Sequence, residues 1–210
     1  MSFEPACLVI AGPSGVGKTS VIQGVLAQTD NWRFSVSATT RPIRAGEVDG
    51  REYHFFDRSE FEARILNGEF LEYADVYGNL YGTPAAEFDR AAQARQHLLI
   101  EVDTVGCLSI RALRPEIPMV AILPPSMAVL KQRLRDRGTE SDDTLRRRLS
   151  NVVAEFQRMR GFDYAIVNDE LAQAQRELHD LMRIVERGHV RVTPLVDDLL
   201  QNAGGRHEIG

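Results

Sequence analysis

The chain has 210 residues, 43% of them apolar and 26% charged, ordinary values for a globular domain long enough to bury a core. Its formal net charge of −5 argues against a general nucleic-acid binder, so any polyanion site must come from a local basic cluster. Met1 to Glu4 carries no basic n-region, no long apolar run follows, and Cys7 and Cys107 are too few for a disulfide framework or a Cys-based metal site; no signal peptide or membrane span is expected, and a reducing, cytoplasmic setting is the default.

Ala6 to Ala11 is wholly apolar and suits a buried strand. Gly12 to Thr19, reading GPSGVGKT, then fits the G-x-x-x-x-G-K-[ST] phosphate-binding loop. Val21, Ile22, Val25 and Leu26 follow at helical spacing, so the motif has its required strand–turn–helix context. Glycines allow positive φ and close backbone approach, so that successive N–H groups of Gly12, Pro13, Ser14, Gly15, Val16 and Gly17 (proline excepted) can surround a phosphate chain. Lys18 is a compact charge for the outer phosphates, and the Thr19 hydroxyl suits Mg²⁺.

Arg33 to Ser37 alternates as a short strand does, and Ala38 to Glu47 reads as a polar loop. Ser59 with Glu62 is a capping-box signal for a helix carrying Phe61, Ile65 and Leu66 and ending at Gly68. Phe70 to Val76 reads as a strand, Gly78-Asn79 as a turn, and Thr83-Pro84 as the opening of another helix. His97 to Asp103 is a buried strand ending in acids, and Met119 to Leu123 is another, stopped by Pro124-Pro125. Ser126 to Arg137 suits a helix closed by Gly138. From Ser141, Leu145, Leu149, Val152, Val153, Phe156 and Met159 trace one stripe of a longer helix, with Asp142 and Asp143 in its first turn. Tyr164 to Val167 is the last apolar strand, and a helix from Leu171 to about Arg187 is capped by Gly188.

Strands alternating with helices predict an α/β fold, a parallel sheet with helices on both faces. The stretch 34–90 departs from that rhythm and reads as a smaller insertion, leaving 1–33, 91–125 and 158–188 as core. The tail 189–210 is uninformative, and Ala203 to Gly210 looks frayed.

Two further clusters carry chemistry. Between Ser126 and Arg160 nine Lys or Arg stand against five Asp or Glu on an otherwise acidic chain. Alone they would be a solvated helix face; beside a phosphate loop, some of them suit the charge of a moving phosphoryl group. Arg135, Arg147, Arg158 and Arg160 are left as solvated charges. Glu101 and Asp103 close an apolar strand, where open parallel sheets bind ligands; one suits the Mg²⁺ shell as a Walker-B-like acid, the other a second substrate.

GPSGVGKTS, FSVSATTRPIRAGEVDGREYHFF, EFLEYADVYGNLYGTP, LLIEVDTVG, LPPS, RLRDRGTES, RRRL and FDYAIVND, in this order and spacing, resemble guanylate kinase from about Cys7 to Arg187. The resemblance implies a P-loop core, a small α+β GMP-binding insertion at 34–90 and a helical lid at 126–157. It implies ATP and Mg²⁺ on the loop from Gly12 to Ser20, with Asn168 beside the adenine. Ser37, Glu72, Thr83 and Asp103 would hold guanine; Arg41, Arg44, Tyr53 and Tyr81 the GMP phosphate; Arg133, Arg137 and Arg148 the transferring group. Thr19 and Glu101 would face the metal. The chemistry agrees: guanine presents two adjacent donors that one carboxylate such as Glu72 accepts together, where adenine offers an acceptor instead. Two departures stand out, Pro42-Ile43 before Arg44 and Thr104-Val105 after the strand-end acids. The implied reaction is phosphoryl transfer from ATP to GMP. A protein-binding module of the same shape, or a kinase of another small phosphate acceptor, are the other readings; the intact loop lysine argues against the first and the guanine set against the second.

Overall fold

The computed structural model describes residues 3–76, 78–136 and 142–188, and over 142–148 the helical backbone alone. A five-stranded, all-parallel sheet forms the core, in the order β2 (Trp32–Phe34), β7 (His97–Glu101), β1 (Cys7–Ala11), β8 (Met119–Leu123), β9 (Tyr164–Val167). Because strand side chains alternate, β1 supplies both faces: Leu8 and Ile10 point one way, Cys7, Val9 and Ala11 the other. The Leu8–Ile10 face packs on α1 (Lys18–Leu26), α5 (Met127–Asp136), α6 (Asp142–Met159) and α7 (Leu171–Glu186), through residues such as Val21, Leu134, Val152 and Leu178. The other face packs on Ala91 of α3 (Ala86–Ala94) and on Cys107 and Ile110 of α4 (Thr104–Leu113). Helices thus cover both faces, as the alternating pattern predicts.

A second sheet of four strands, β4 (His54–Phe55), β3 (Ala38–Thr39), β6 (Asn79–Pro84) and β5 (Phe70–Val76), has its own small core around Ala38, Phe61 and Leu80. Phe61 of α2 (Arg58–Leu66) stacks on Phe70 at 4.4 Å between ring centroids. Gly82 is required there, since a Cβ would lie 2.9 Å from both the Glu72 carbonyl and the Phe70 ring.

Three local expectations are corrected, and one helix, α4, was not expected. The cap of α2 is Asp57, not Ser59: its carboxylate accepts from Glu60 N, and Ser59 merely donates its hydroxyl to Asp57. Thr83-Pro84 does not open a helix but ends β6; α3 begins after Ala85, which gives no side-chain cap. Ala38-Thr39 is a strand rather than loop, because it lies between β4 and β6. Thr104-Val105-Gly106 is the first turn of α4, with Asp103 as its cap. The expected closure at Gly138 and the tail 189–210 lie outside the described residues.

Candidate active site

One cleft of about 570 Å³ lies between the two sheets. The phosphate loop forms one wall and β5, β6 and residues 34–37 form the other.

The loop is held by tight backbone approach. A Cβ on Gly12 would lie 2.4 Å from the Ile122 carbonyl of β8, and Gly15 and Gly17 take φ of 85° and 92°. Helix α1 starts after Gly17 with no side-chain cap and no acid in its first turn, so its N–H groups and positive dipole end face the cleft. Lys18 lies back along the loop: Nζ donates to the Gly12 carbonyl at 2.7 Å and stands 3.7 Å from Glu101 Oε1. Gly12, Pro13, Ser14, Gly15, Gly17, Lys18, Thr19 and Glu101 all line the cleft, whereas Val16 is buried behind it. The carbonyl of Ser20 accepts from Gln175 Nε2 of α7.

Asn168 stands beneath the loop. It is buried, its Nδ2 donates to the Val16 carbonyl at 2.7 Å, and its own carbonyl accepts from Arg133 Nη1 at 2.8 Å. These contacts tie α5 and the end of β9 to the phosphate loop. Neither residue lines the cleft. Arg137 and the side chain of Arg148 lie outside the described residues.

On the opposite wall, Glu72 and Thr83 sit directly across the β5–β6 ladder, and Thr83 Oγ1 donates to Glu72 Oε1 at 2.7 Å. The second oxygen, Oε2, faces α4: a Cβ on Gly106 would come within 2.9 Å of it. Burial pushes the Glu72 carboxyl above the ordinary glutamate range, the Thr83 hydrogen bond draws it partly back, and the nearby Asp103 charge adds to the rise. Asp103 accepts from the amides of Val105 and Gly106 through Oδ1, at 2.9 and 2.7 Å. Glu72, Ser37 and Asp103 line the cleft together; Thr83, wholly buried, acts on it through Glu72.

Arg41 is brought against two phenol rings. Its guanidinium lies 5.5 Å from the Tyr53 ring centroid, Tyr53 and Tyr81 meet edge to face at 6.0 Å, and both tyrosines line the cleft. The arginine is paired through both terminal nitrogens with Glu47, at 3.1 and 2.8 Å, and donates to the Pro42 carbonyl at 2.7 Å. Arg44 is exposed, with its backbone amide on Glu47 Oε2 at 2.8 Å. Arg41 therefore joins Tyr53 and Tyr81, while Arg44 stands apart from them.

Sequence reasoning overlooked Glu155 of α6, which lines the cleft. Its Oε2 is buried without a hydrogen-bond partner, and burial pushes its carboxyl up against the pull of Lys18. One acid among many arginines gave no signal of this. Thr104 was also missed; Arg158, expected to be solvated, reaches its hydroxyl at 3.5 Å. Among the described residues no group of three or more His, Cys, Asp or Glu could hold a metal by itself, and no helix is long and apolar enough to cross a membrane.

A family model described as guanylate kinase matches residues 4–185. The chain is 44% identical to the guanylate kinase of Symbiobacterium thermophilum over 92% of both chains. It is 46% identical to that of Dechloromonas aromatica over 83% of this chain and 87% of the other, and 41% identical to that of Neisseria meningitidis serogroup A over 93% and 95%. Among solved structures, guanylate kinase from Anaplasma phagocytophilum superposes with a TM-score of 0.68 at 29% identity, covering 86% of each chain.

Proposed function

The chain belongs to the guanylate kinase family, and from that premise we propose that it transfers the γ-phosphoryl group of ATP to GMP, forming ADP and GDP. The observation that carries this reading is a single cleft lined on one wall by Lys18 of the phosphate loop and on the other by the Glu72 carboxylate. The loop amides and Lys18 hold the donor phosphates. Glu72, with Ser37 and Asp103, accepts the guanine N1–H and amine. Arg41, Tyr53 and Tyr81 receive the acceptor phosphate, with Arg44 drawn in from solvent. No general base is needed, because the acceptor phosphate oxygen is already ionised; catalysis rests on alignment and on charge stabilisation.

The segment 34–90 serves as the acceptor-binding unit and 126–157 as the lid. Arg133, Arg137 and Arg148 supply positive charge from the lid, and Asn168 keeps the loop in shape below the nucleotide. Thr19 and Glu101, a hydroxyl and a carboxylate beside the phosphate loop, fit Mg²⁺ as a donor set of hard oxygens. When bound, the ion neutralises charge on the donor phosphates. Two buried free thiols and a pair of nucleotide substrates suit the cytoplasm.

Incubating the enzyme with GMP and Mg·ATP and separating the products tests the reading: GDP and ADP should appear in equal amounts. Lys18→Met should abolish this while leaving GMP binding by calorimetry intact. Full turnover in that variant, or ADP without GDP, would contradict the assignment.

A further inference from the structure

The chain passes from the five-stranded sheet to the four-stranded one through residues 35–37, and returns between Pro84 at the end of β6 and Ala86 at the start of α3. Glu87, in the first turn of α3, lies at that double crossing with a side chain that is 0% exposed. An unpaired carboxylate there would be costly, and Glu87 has partners on every side. Oε2 accepts from the backbone amide of Val36 at 3.0 Å, with Arg33 Nη2 of β2 at 4.0 Å. Oε1 accepts from Arg90 Nη1 at 2.5 Å. The same Arg90 nitrogen stands 2.6 Å from His54 Nε2. A guanidinium has no lone pair, so that imidazole nitrogen accepts and the ring proton sits on Nδ1. His54 in turn donates its backbone N–H to the Ser37 carbonyl at 2.8 Å.

One carboxylate thus grips the outgoing crossing directly at Val36, reaches its other side through Arg90 and His54, and is itself anchored on the returning crossing. Ser35 and Ser37, flanking the gripped amide, both line the cleft. Ser35 Oγ is buried without a hydrogen-bond partner. None of this touches the phosphate loop.

The geometry points to Glu87 as a positioning residue for the acceptor half of the cleft: it fixes the angle at which the insertion, and with it Ser37 and the guanine-reading wall, meets the core. This rests on the ATP:GMP reading above. A residue that served only general stability would weaken both nucleotide sites alike; a clamp on the crossing affects one.

Glu87→Gln keeps the shape and removes the charge shared by the Val36 amide and Arg90. It should raise the KM for GMP by about tenfold while the KM for ATP stays within about twofold. Amide exchange in the full chain should quicken in peptides covering 35–38 and 53–55 and stay unchanged over Gly12 to Thr19. Arg90→Met, which removes a half-exposed partner, should act in the same direction, by about threefold on the GMP term. Equal changes in both KM values, or unaltered exchange at 35–38, would overturn the role. If Glu87→Gln does not fold, Arg90→Met decides, and a wild-type KM for GMP in that variant refutes the clamp. Should the wild type fail to phosphorylate GMP, the functional reading falls while the exchange comparison still tests the clamp.

Discussion

Thr83 Oγ1 donates to Glu72 Oε1 at 2.7 Å across the β5–β6 ladder, with Thr83 wholly buried and Glu72 nearly so. This bond fixes Oε1, with Oε2 on the side of Gly106 in α4 and the carboxylate at the cleft wall. Thr83→Val preserves shape and deletes the donor. Leaving a buried acceptor unpaired costs about 1–3 kcal/mol, and part of that should appear as a GMP affinity about tenfold weaker, with ATP binding unchanged. Calorimetric titration of each nucleotide checks the split.

The raised Glu72 carboxyl gives a pH signature. Because its folded pKa lies above the unfolded one, the carboxyl takes up its proton at higher pH in the folded chain than in the unfolded one. Its stabilising contribution is complete below the unfolded value and is lost as pH rises through the folded one. Guanine needs the ionised form, so affinity should move the opposite way, falling as pH drops through that raised pKa, earlier than for an ordinary glutamate. Guanosine is the cleaner probe, since phosphate itself titrates near ~6. Glu72→Gln should bind it weakly but without this pH dependence.

Under the phosphate loop, Asn168 Nδ2 donates to the Val16 carbonyl at 2.7 Å, and the Cβ of an alanine at Gly17 would fall 2.6 Å from that same nitrogen. Asn168→Asp replaces a donor with a charge facing a carbonyl. The KM for ATP should rise by about tenfold or more, with GMP binding retained. Steady-state kinetics with each substrate varied in turn will show it.

How much of this was legible beforehand depended on how local each feature is. The strand–loop–helix around Lys18 is written in contiguous residues and was read correctly. Helix α4 went unseen because Gly106 and a first turn of Thr-Val-Gly hide its start, and Asp103 was read only as a ligand-facing acid, not as the cap it also is. Strand β6 was missed because Gly82-Thr83-Pro84 carries the marks of a turn and a helix start; the ladder with β5 overrides them. Glu72 came from resemblance, and its bond to Thr83 needs the hairpin register. Glu87 carries little local mark: only Arg90, three residues on, is a near neighbour in sequence, while Val36 and Arg33 come from one stretch some fifty residues earlier.

Cys7 and Cys107 are 6% and 0% exposed, and burial pushes both thiols far above their usual range. Thiolate is the reactive form, so neither should react with a thiol reagent at neutral pH in the folded protein. Both should label on unfolding in guanidinium, and fast native labelling would mean that the core faces carrying β1 and α4 open readily.

Acceptor choice tests the central claim most directly: kcat/KM with GMP against AMP, Mg·ATP as donor and ADP release as readout. A site whose buried carboxylate pairs with the guanine edge should favour GMP by ~10⁴-fold, and Glu72→Gln should erase most of that margin. Comparable values for AMP and GMP in the wild type would contradict the account.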